Sequence, residues 1–218
     1  METYIPEIFF DLKDFSHRTL FLNHLPIWET LKNLKNYLKS LKLGKIEIDI
    51  PKGVTLVHPE RISIEKGTVL EPGSYIEGPC FIGKGVQVRH GAYIRPNVII
   101  GDHAVVGHAS ELKHAVLLNH SSAAHFNYVG DSIIGKRVNL GAGVVCANFR
   151  LDKKKIAVAF PGKKIETGLR KFGAVIGDDS QLGCHTVINP GTLLRKKTFS
   201  RPTTVIKDSN IKKRRLCG

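Results

Sequence analysis

Apolar residues recur every six positions through the middle of this chain. Counted from Ile64, the beats fall on Ile64, Leu70, Ile76, Ile82, Val88, Ile94, Ile100, Val106, Leu112, Leu118 and Ala124. A period of six fits neither an amphipathic helix nor a half-buried strand, so it reads as internal repetition. Small or β-branched residues stand two places before the beat, as at Thr68, Ser74, Cys80, Val86, Ala92, Val98, Ala104 and Ser110. Glycine often follows it, at Gly83, Gly101, Gly107, Gly135 and Gly141. This is a hexapeptide repeat. Each unit supplies a short strand and a corner, three units close a triangular coil, and the beat residue points inward. Coils then stack by parallel strand pairing at about 4.8 Å. The expected class is all-β: a left-handed parallel β-helix, whose hand departs from the usual right-handed crossover in a way that this repeat licenses. A β-sandwich would need the same in-phase series to arise by chance.

The rhythm stumbles at SSAAHFNYVGD, residues 121–131. The beat shrinks to Ala124, His125 follows at once, and Ile134 arrives two residues early. The pattern predicts one shortened coil that opens the wall at His125. The beat resumes as Ile134, Leu140 and Cys146, pauses, and returns as Ile176, Leu182, Ile188 and Leu194, for about six coils. Between residues 147 and 173 lies an insertion whose IAVAF run, Pro161-Gly162 turn and following KKIET predict a projecting hairpin. Upstream, Ile27, Trp28, Leu31, Leu34, Leu38 and Leu41 share one helical stripe that Gly44 ends. Such a helix suits the end of a solenoid, where it would cap unpaired strand edges. KIEIDI (45–50) reads as a first strand. The expected organisation is an N-terminal helical cap over 1–50, a β-helix over 51–195 and a basic C-terminal tail over 196–218.

Lysine and arginine exceed aspartate and glutamate by 33 to 19, giving a formal charge of +14 that favours an anionic partner. No aromatic platform or recognised module points to nucleic acid. Cys80, Cys146, Cys184 and Cys217 are scattered without a CxxC pair, which fits reduced thiols. The opening METYIPEIFF is acidic where a signal peptide is basic, and no apolar run reaches membrane-spanning length; a soluble, cytoplasmic protein without membrane partners is expected. The histidine pairs 103/108 and 120/125 would need a third ligand two coils upstream, at Gly67 or Lys84, and neither is an imidazole, so no metal is expected.

Arg95 and Lys113 each directly follow a beat, three hexads apart. They should stack at one corner of adjacent coils, and two cations held together imply an anion. His125 and the glycines of GAG, 141–143, fall near a different corner. Prisms packed around a threefold axis would bring the corners together, so a homotrimer is expected.

The segments IRP (94–96), ELK (111–113), AHFNYVGDSIIGKRVNLGAG (124–143) and NFRLDKK (148–154) resemble the acetyltransferase half of the bifunctional N-acetylglucosamine-1-phosphate uridyltransferase and glucosamine-1-phosphate acetyltransferase family. ANFRLD and GLRKFGAVIGDD bring the chain nearer to the archaeal-type sugar-phosphate nucleotidyltransferase branch. The resemblance covers roughly residues 60–195. It implies acetyl-CoA as co-substrate and N-acetylation of an amino-sugar 1-phosphate, with His125 as general base and Asn148 at the reacting amine or thioester. By the same resemblance Arg95, Lys113 and Lys154 hold the sugar phosphate, Tyr128 and Asn139 the sugar, and Ala142 and Cys184 the coenzyme. Phe149 stands where bacterial members have tyrosine, and Cys184 where they have serine. Nothing ahead of Pro51 resembles a nucleotide-binding loop, so uridylyl transfer would need a separate nucleotidyltransferase. The competing expectations are an inactive hexapeptide scaffold and an N-acyltransferase acting on a nucleotide amino sugar.

Overall fold

The computed structural model describes residues 4–160 and 163–207. Its body is an all-β, three-sided parallel β-helix. The tyrosine face stacks Thr55–Val57, Tyr75–Glu77, Tyr93–Ile94, Glu111–Lys113, Tyr128–Gly130, Val145–Cys146, Val187–Ile188 and Val205–Ile206. The covered face stacks Ile62–Ile64, Cys80–Ile82, Val98–Ile100, Ala115–Leu117, Ile133–Ile134, Ala174–Ile176 and Thr192–Leu194. The polar face stacks Val69–Leu70, Gln87–Val88, Val105–His108, Ser122–His125, Asn139–Leu140, Gln181–Leu182 and Phe199–Ser200. These make seven full coils and the start of an eighth, against the six expected.

The extra coil lies partly in the stretch read as a tail. Phe199–Ser200 and Val205–Ile206 pair in register with Gln181–Leu182 and Val187–Ile188, so the β-helix runs past residue 195. The hexad is disguised there because its inward position holds a serine. Ser200 is buried and satisfied: its hydroxyl accepts from the Gly183 N–H and lies 3.0 Å from the Thr186 hydroxyl. The basic residues of IKKRRLCG and the Pro161-Gly162 turn lie outside the described residues. At the other end, KIEIDI contributes only a bridge between Ile46 and Ile64.

Strand register resolves the stumble differently from the hexad count. Ile94 pairs with Leu112 at a spacing of 18, but Ile100 pairs with Leu117 and Leu117 with Ile134, both at 17. One residue is lost between Leu112 and Leu117, and another between Val129 and Ile134. Each loss falls at the corner from the tyrosine face to the covered face, one coil above the other. Leu117 and Ala123 therefore point inward, whereas Leu118 packs outside the prism and Ala124 is half-buried. His114 and Asp131 occupy the tightened corners with φ of 49° and 45°. This left-handed conformation favours Asn, Asp and His among non-glycine residues, and His58, His103, His120 and His185 take it too. Much of the histidine content is thus corner chemistry.

The helix, Trp28–Ser40 (α1), forms as expected, but it lies along a side of the prism and not across an end. Its buried stripe of Trp28, Leu31, Leu34 and Leu38 packs with Phe9, Phe10, Phe15 and Phe21 on outward residues of the covered face, Ile99, Val116, Ile133, Val175 and Leu193. Strands such as VII, AVL and AVI are consequently buried on both faces, whereas those of the other two faces are mostly exposed outside. The amphipathic stripe needed an apolar partner, and only this side offers consecutive apolar triplets. Buried Asp178 pins the segment, accepting the backbone N–H groups of Asp11 (2.6 Å) and Lys136 (2.8 Å). The hairpin Ala157–Phe160 with Lys163–Glu166 is antiparallel as expected, and its Val158 joins the same second core.

His17 sits in this seam, with Nδ1 3.0 Å from the Tyr37 hydroxyl and its ring 4.2 Å from that of Phe81. Burial pushes its pKa down to about 4, with Asp102 opposing only in part. The unfolded chain then holds the extra proton between pH 4 and the ordinary value near 6.5, so stability falls as pH drops through that window, by about 3 kcal/mol in total. Thermal melts of the wild type and His17→Leu between pH 7 and pH 4.5 should show a flatter acid slope for the variant. Equal slopes would contradict the assignment.

Candidate active site

Most of the residues singled out from the sequence gather at the two edges of the tyrosine face. At its edge with the covered face, the paired strands set Lys113 one coil above Arg95, as the three-hexad spacing requires. The expected anion is supplied by the protein itself. Arg95 Nη1 donates to Glu111 Oε1 at 3.0 Å, and Lys113 Nζ to Asp131 Oδ2 at 2.9 Å. Asn148 Nδ2 also donates to Asp131, and the Tyr128 hydroxyl reaches the Asn148 side chain. Burial, with the carboxylates of Glu111 and Asp131, pushes the Tyr128 phenol above its ordinary range. A methyl group on Gly130 would lie 2.6 Å from both the Asn148 amide and the Tyr128 hydroxyl, so glycine leaves the space in which they meet.

Ile133 pairs with Val175 and Val145 with Val187, so the chain inserted between these coils leaves the prism and returns to it without disturbing the register. It does so at this same corner. Its neck is closed by the Phe149–Lys171 bridge and by the Phe172 N–H, which donates to the Asn148 carbonyl at 2.9 Å. This closure holds Asn148 against Asp131. Lys154 lies beyond the Arg150–Asp152 ion pair on the exposed loop, and its ammonium joins no ion pair among the described residues.

His125 stands at the opposite edge, with the polar face. Its backbone N–H donates to Asn127 Oδ1 at 3.2 Å, and its carbonyl accepts from Gly143 N–H at 3.0 Å; the imidazole is exposed. Buried Asn127 in turn donates to the Gly141 carbonyl at 2.8 Å. On the coil below, His108 pairs in register with His125, and its ring meets Phe126 at 5.0 Å. Ala142 and exposed Cys184 continue this corner upward, linked by the His185 N–H to the Ala142 carbonyl at 2.8 Å and the Thr203 N–H to the Cys184 carbonyl at 2.8 Å. The N–H groups of Gly141 and Gly143 are engaged, whereas that of Ala142 donates to none of the described residues.

Two clusters therefore exist in one chain: Arg95, Lys113, Tyr128 and Asn148 at one edge, His125, Ala142 and Cys184 at the other. The strand between Asn127 and Asp131 holds them roughly 13 Å apart at about 3.3 Å per residue. Asn139 joins neither; it is exposed on the polar face, not beside Tyr128. Sequence reasoning missed Glu111 and Asp131: the shortened corner sets Gly130 above Lys113, and Asp131 follows it as the next residue, within reach of the ammonium.

With the geometry in place, comparison with known proteins decides the family. The family model described as the GMPPB C-terminal domain matches residues 76–202, more than half of the chain. The chain belongs to this family. It is also 41% identical over 86 residues to a bifunctional sugar-1-phosphate nucleotidylyltransferase/acetyltransferase of Sulfurisphaera tokodaii, a match covering 39% of this chain and 21% of that protein. A bifunctional GlmU protein of Methanococcus aeolicus is 34% identical over 82 residues, covering 38% and 20%. The chain thus spans about a fifth of the length of these relatives. Among solved structures, Arabidopsis UDP-N-acetylglucosamine acyltransferase aligns over 72% of this chain and 65% of its own at 15% identity, with a TM-score of 0.36. Among the described residues no helix is long and apolar enough to cross a membrane, and no group of three or more His, Cys, Asp or Glu could hold a metal ion.

Gly107 sets the position of His125. A side chain there would drive into the Ala124 carbonyl, with a Cβ–O separation of 1.6 Å. Gly107→Ala should lower the melting temperature and shift the amide resonances of Ala124–Phe126 by NMR. An unshifted spectrum would show that the strand does not depend on this close approach.

Proposed function

We propose that the chain catalyses acetyl-CoA-dependent N-acetylation of an amino-sugar phosphate, with glucosamine-1-phosphate as the first substrate to test. The observation that carries this reading is the gathering of Arg95, Lys113, Tyr128 and Asn148 at one corner, with His125 at the other edge of the same face. In this reading His125 accepts the proton of the sugar amine as its nitrogen attacks the thioester carbon. The new C–N bond forms, the C–S bond breaks, and the proton leaves with the coenzyme thiolate. An imidazole suits the task because its neutral ring nitrogen can take a proton and pass it on. The Ala142 N–H is the donor on hand for the oxyanion. Arg95 and Lys113 each use only part of their donor capacity on Glu111 and Asp131, leaving N–H groups for a phosphate, with Lys154 arriving from the loop.

A homotrimer completes the reading. The covered face is occupied by the N-terminal segment, so packing between copies would use the other two, where Tyr75, Tyr93, Val205, Val69 and Phe199 are exposed. His125 of one subunit then approaches the cationic corner of the next. The scaffold reading also has an observation behind it, since both stacked cations are already compensated within the chain.

The reading is tested by thiol release from acetyl-CoA with glucosamine-1-phosphate and other amino-sugar phosphates. His125→Ala, an exposed side chain, should keep its oligomeric state by light scattering and its melting temperature, yet lose about a hundredfold to ten-thousandfold in rate. Partial recovery at higher pH is expected, because the amine then loses its proton without help. A folded variant transferring at the wild-type rate removes His125 as the base; a trimer of wild-type protein that releases no thiol with any of these substrates supports the scaffold.

A further inference from the structure

Beyond Lys154, uncompensated positive charge also stands next to this site on residues that the family resemblance does not name. A cavity of about 620 Å³ opens between α1 and the neck of the insertion, walled by Lys32, Lys35, His114, Phe149, Arg170 and Lys171. It shares Asp131 with the cationic corner. The His114 ring fixes its floor, with Nε2 2.9 Å from the Leu31 carbonyl, so the helix and the shortened corner are one unit here. Lys32 is paired with Glu29 at 2.6 Å, and Asp131 is taken by Lys113 and Asn148. Lys35, Arg170 and Lys171 form no ion pair among the described residues, although they come from two separate segments and face one concavity. Cations gathered without a carboxylate of their own, Asp131 being engaged by Lys113 and Asn148, repel one another, a cost that a bound anion removes.

The cavity is larger than one phosphate needs and falls in the range of about 300–1,000 Å³ that holds small organic ligands. Its aromatic wall, Phe149, is 40% exposed and also borders a neighbouring cavity of about 660 Å³, so the ring is open to a planar partner. Cations and an open aromatic ring lining one concavity fit a phosphate chain joined to a base. The helix that brings Lys32 and Lys35 precedes the residues matched by the family model, so this wall is an addition to the shared prism.

We propose that this cavity binds a nucleoside diphosphate group, its phosphates held by Lys35, Arg170 and Lys171 and its base stacked on Phe149. The proposal rests on the acetyl-transfer reading only for its consequence, that one substrate arrives as a nucleotide conjugate. The group could be carried by a nucleotide-linked amino sugar or by the adenosine end of the coenzyme.

Isothermal titration with UDP, ADP and inorganic pyrophosphate, in the absence of acetyl donor, separates the cases. Wild-type protein should bind a nucleoside diphosphate, and Lys35→Ala/Arg170→Ala should weaken it roughly tenfold or more. Phe149→Ala should weaken the nucleotide and leave pyrophosphate unchanged, and Lys39→Ala, a control one turn further along α1 and outside the cavity wall, should change neither. Tighter binding of UDP assigns the cavity to a nucleotide sugar, and tighter binding of ADP to the coenzyme. No nucleotide binding, or an equal loss in the Lys39 variant, overturns the proposal. Binding without thiol release leaves this site standing and removes acetyl transfer; thiol release at the wild-type rate in the double variant, with no nucleotide bound, does the reverse.

Discussion

Every coil of this prism satisfies its strand edges only through the coil above and below, and it can do so only if one inward residue per hexad, apolar in nearly every coil and a satisfied serine at Ser200, stays in line down the axis. That stacking tolerates corners of different length, because a corner is outside the core. Losing one residue at a corner costs no inward contact as long as the next strand re-enters in phase. Inserting a whole loop and hairpin at the same corner is tolerated for the same reason, since Ile133 still pairs with Val175 and Ile134 with Ile176. The shortened corners and the insertion succeed one another on consecutive coils, so variation is concentrated at one edge of a rigid scaffold. Binding residues are commonly carried in such places.

Electrostatics at that edge is settled locally before any ligand arrives. Arg95 and Lys113 are oriented by Glu111 and Asp131, and Asp131 also holds the Asn148 amide that closes the neck of the insertion. A single carboxylate thereby couples the prism wall, the loop and the cation. The excess charge sits in the adjoining cavity, on side chains from α1 and from the segment that leads from the hairpin back to the prism. The N-terminal segment does two things at once: it buries the one apolar outer face, and it lends cations to the edge beside it.

The periodicity of the core was fully legible, because a six-residue beat has no other structural meaning at this length. Its phase was not. Leu117 and Leu118 are both apolar, as are Ala123 and Ala124, so the hexad count runs on past the first single-residue loss without a visible break, and both losses surface together at Ile134. Only backbone pairing shows which of each couple faces inward. The position of α1 was legible in principle, since VII, AVL and AVI present apolar residues on both sides of a strand, but a solenoid end also invites a cap. Ser200 hid the last coil by satisfying its hydroxyl inside the prism. The stacking of Lys113 on Arg95 is legible from their spacing, whereas their compensation is not, because Glu111 and Asp131 reach them from adjacent coils only in the register that the backbone takes. Asn139 and Tyr128 lie on different faces, since the chain from one to the other turns two corners of a coil.

His125 and the Lys113 cluster stand at opposite edges of one face, and a second copy is the natural way to join them. Subunit mixing tests this most directly. Lys113→Ala and His125→Ala, each inactive alone, are combined by partial unfolding and reassembly, and thiol release is measured on the mixture. A site built between copies should regain up to about a quarter of wild-type activity at equal mixing, because some interfaces then pair an intact histidine with an intact lysine. No recovery in a mixture shown by mass spectrometry to contain mixed trimers would contradict a shared site.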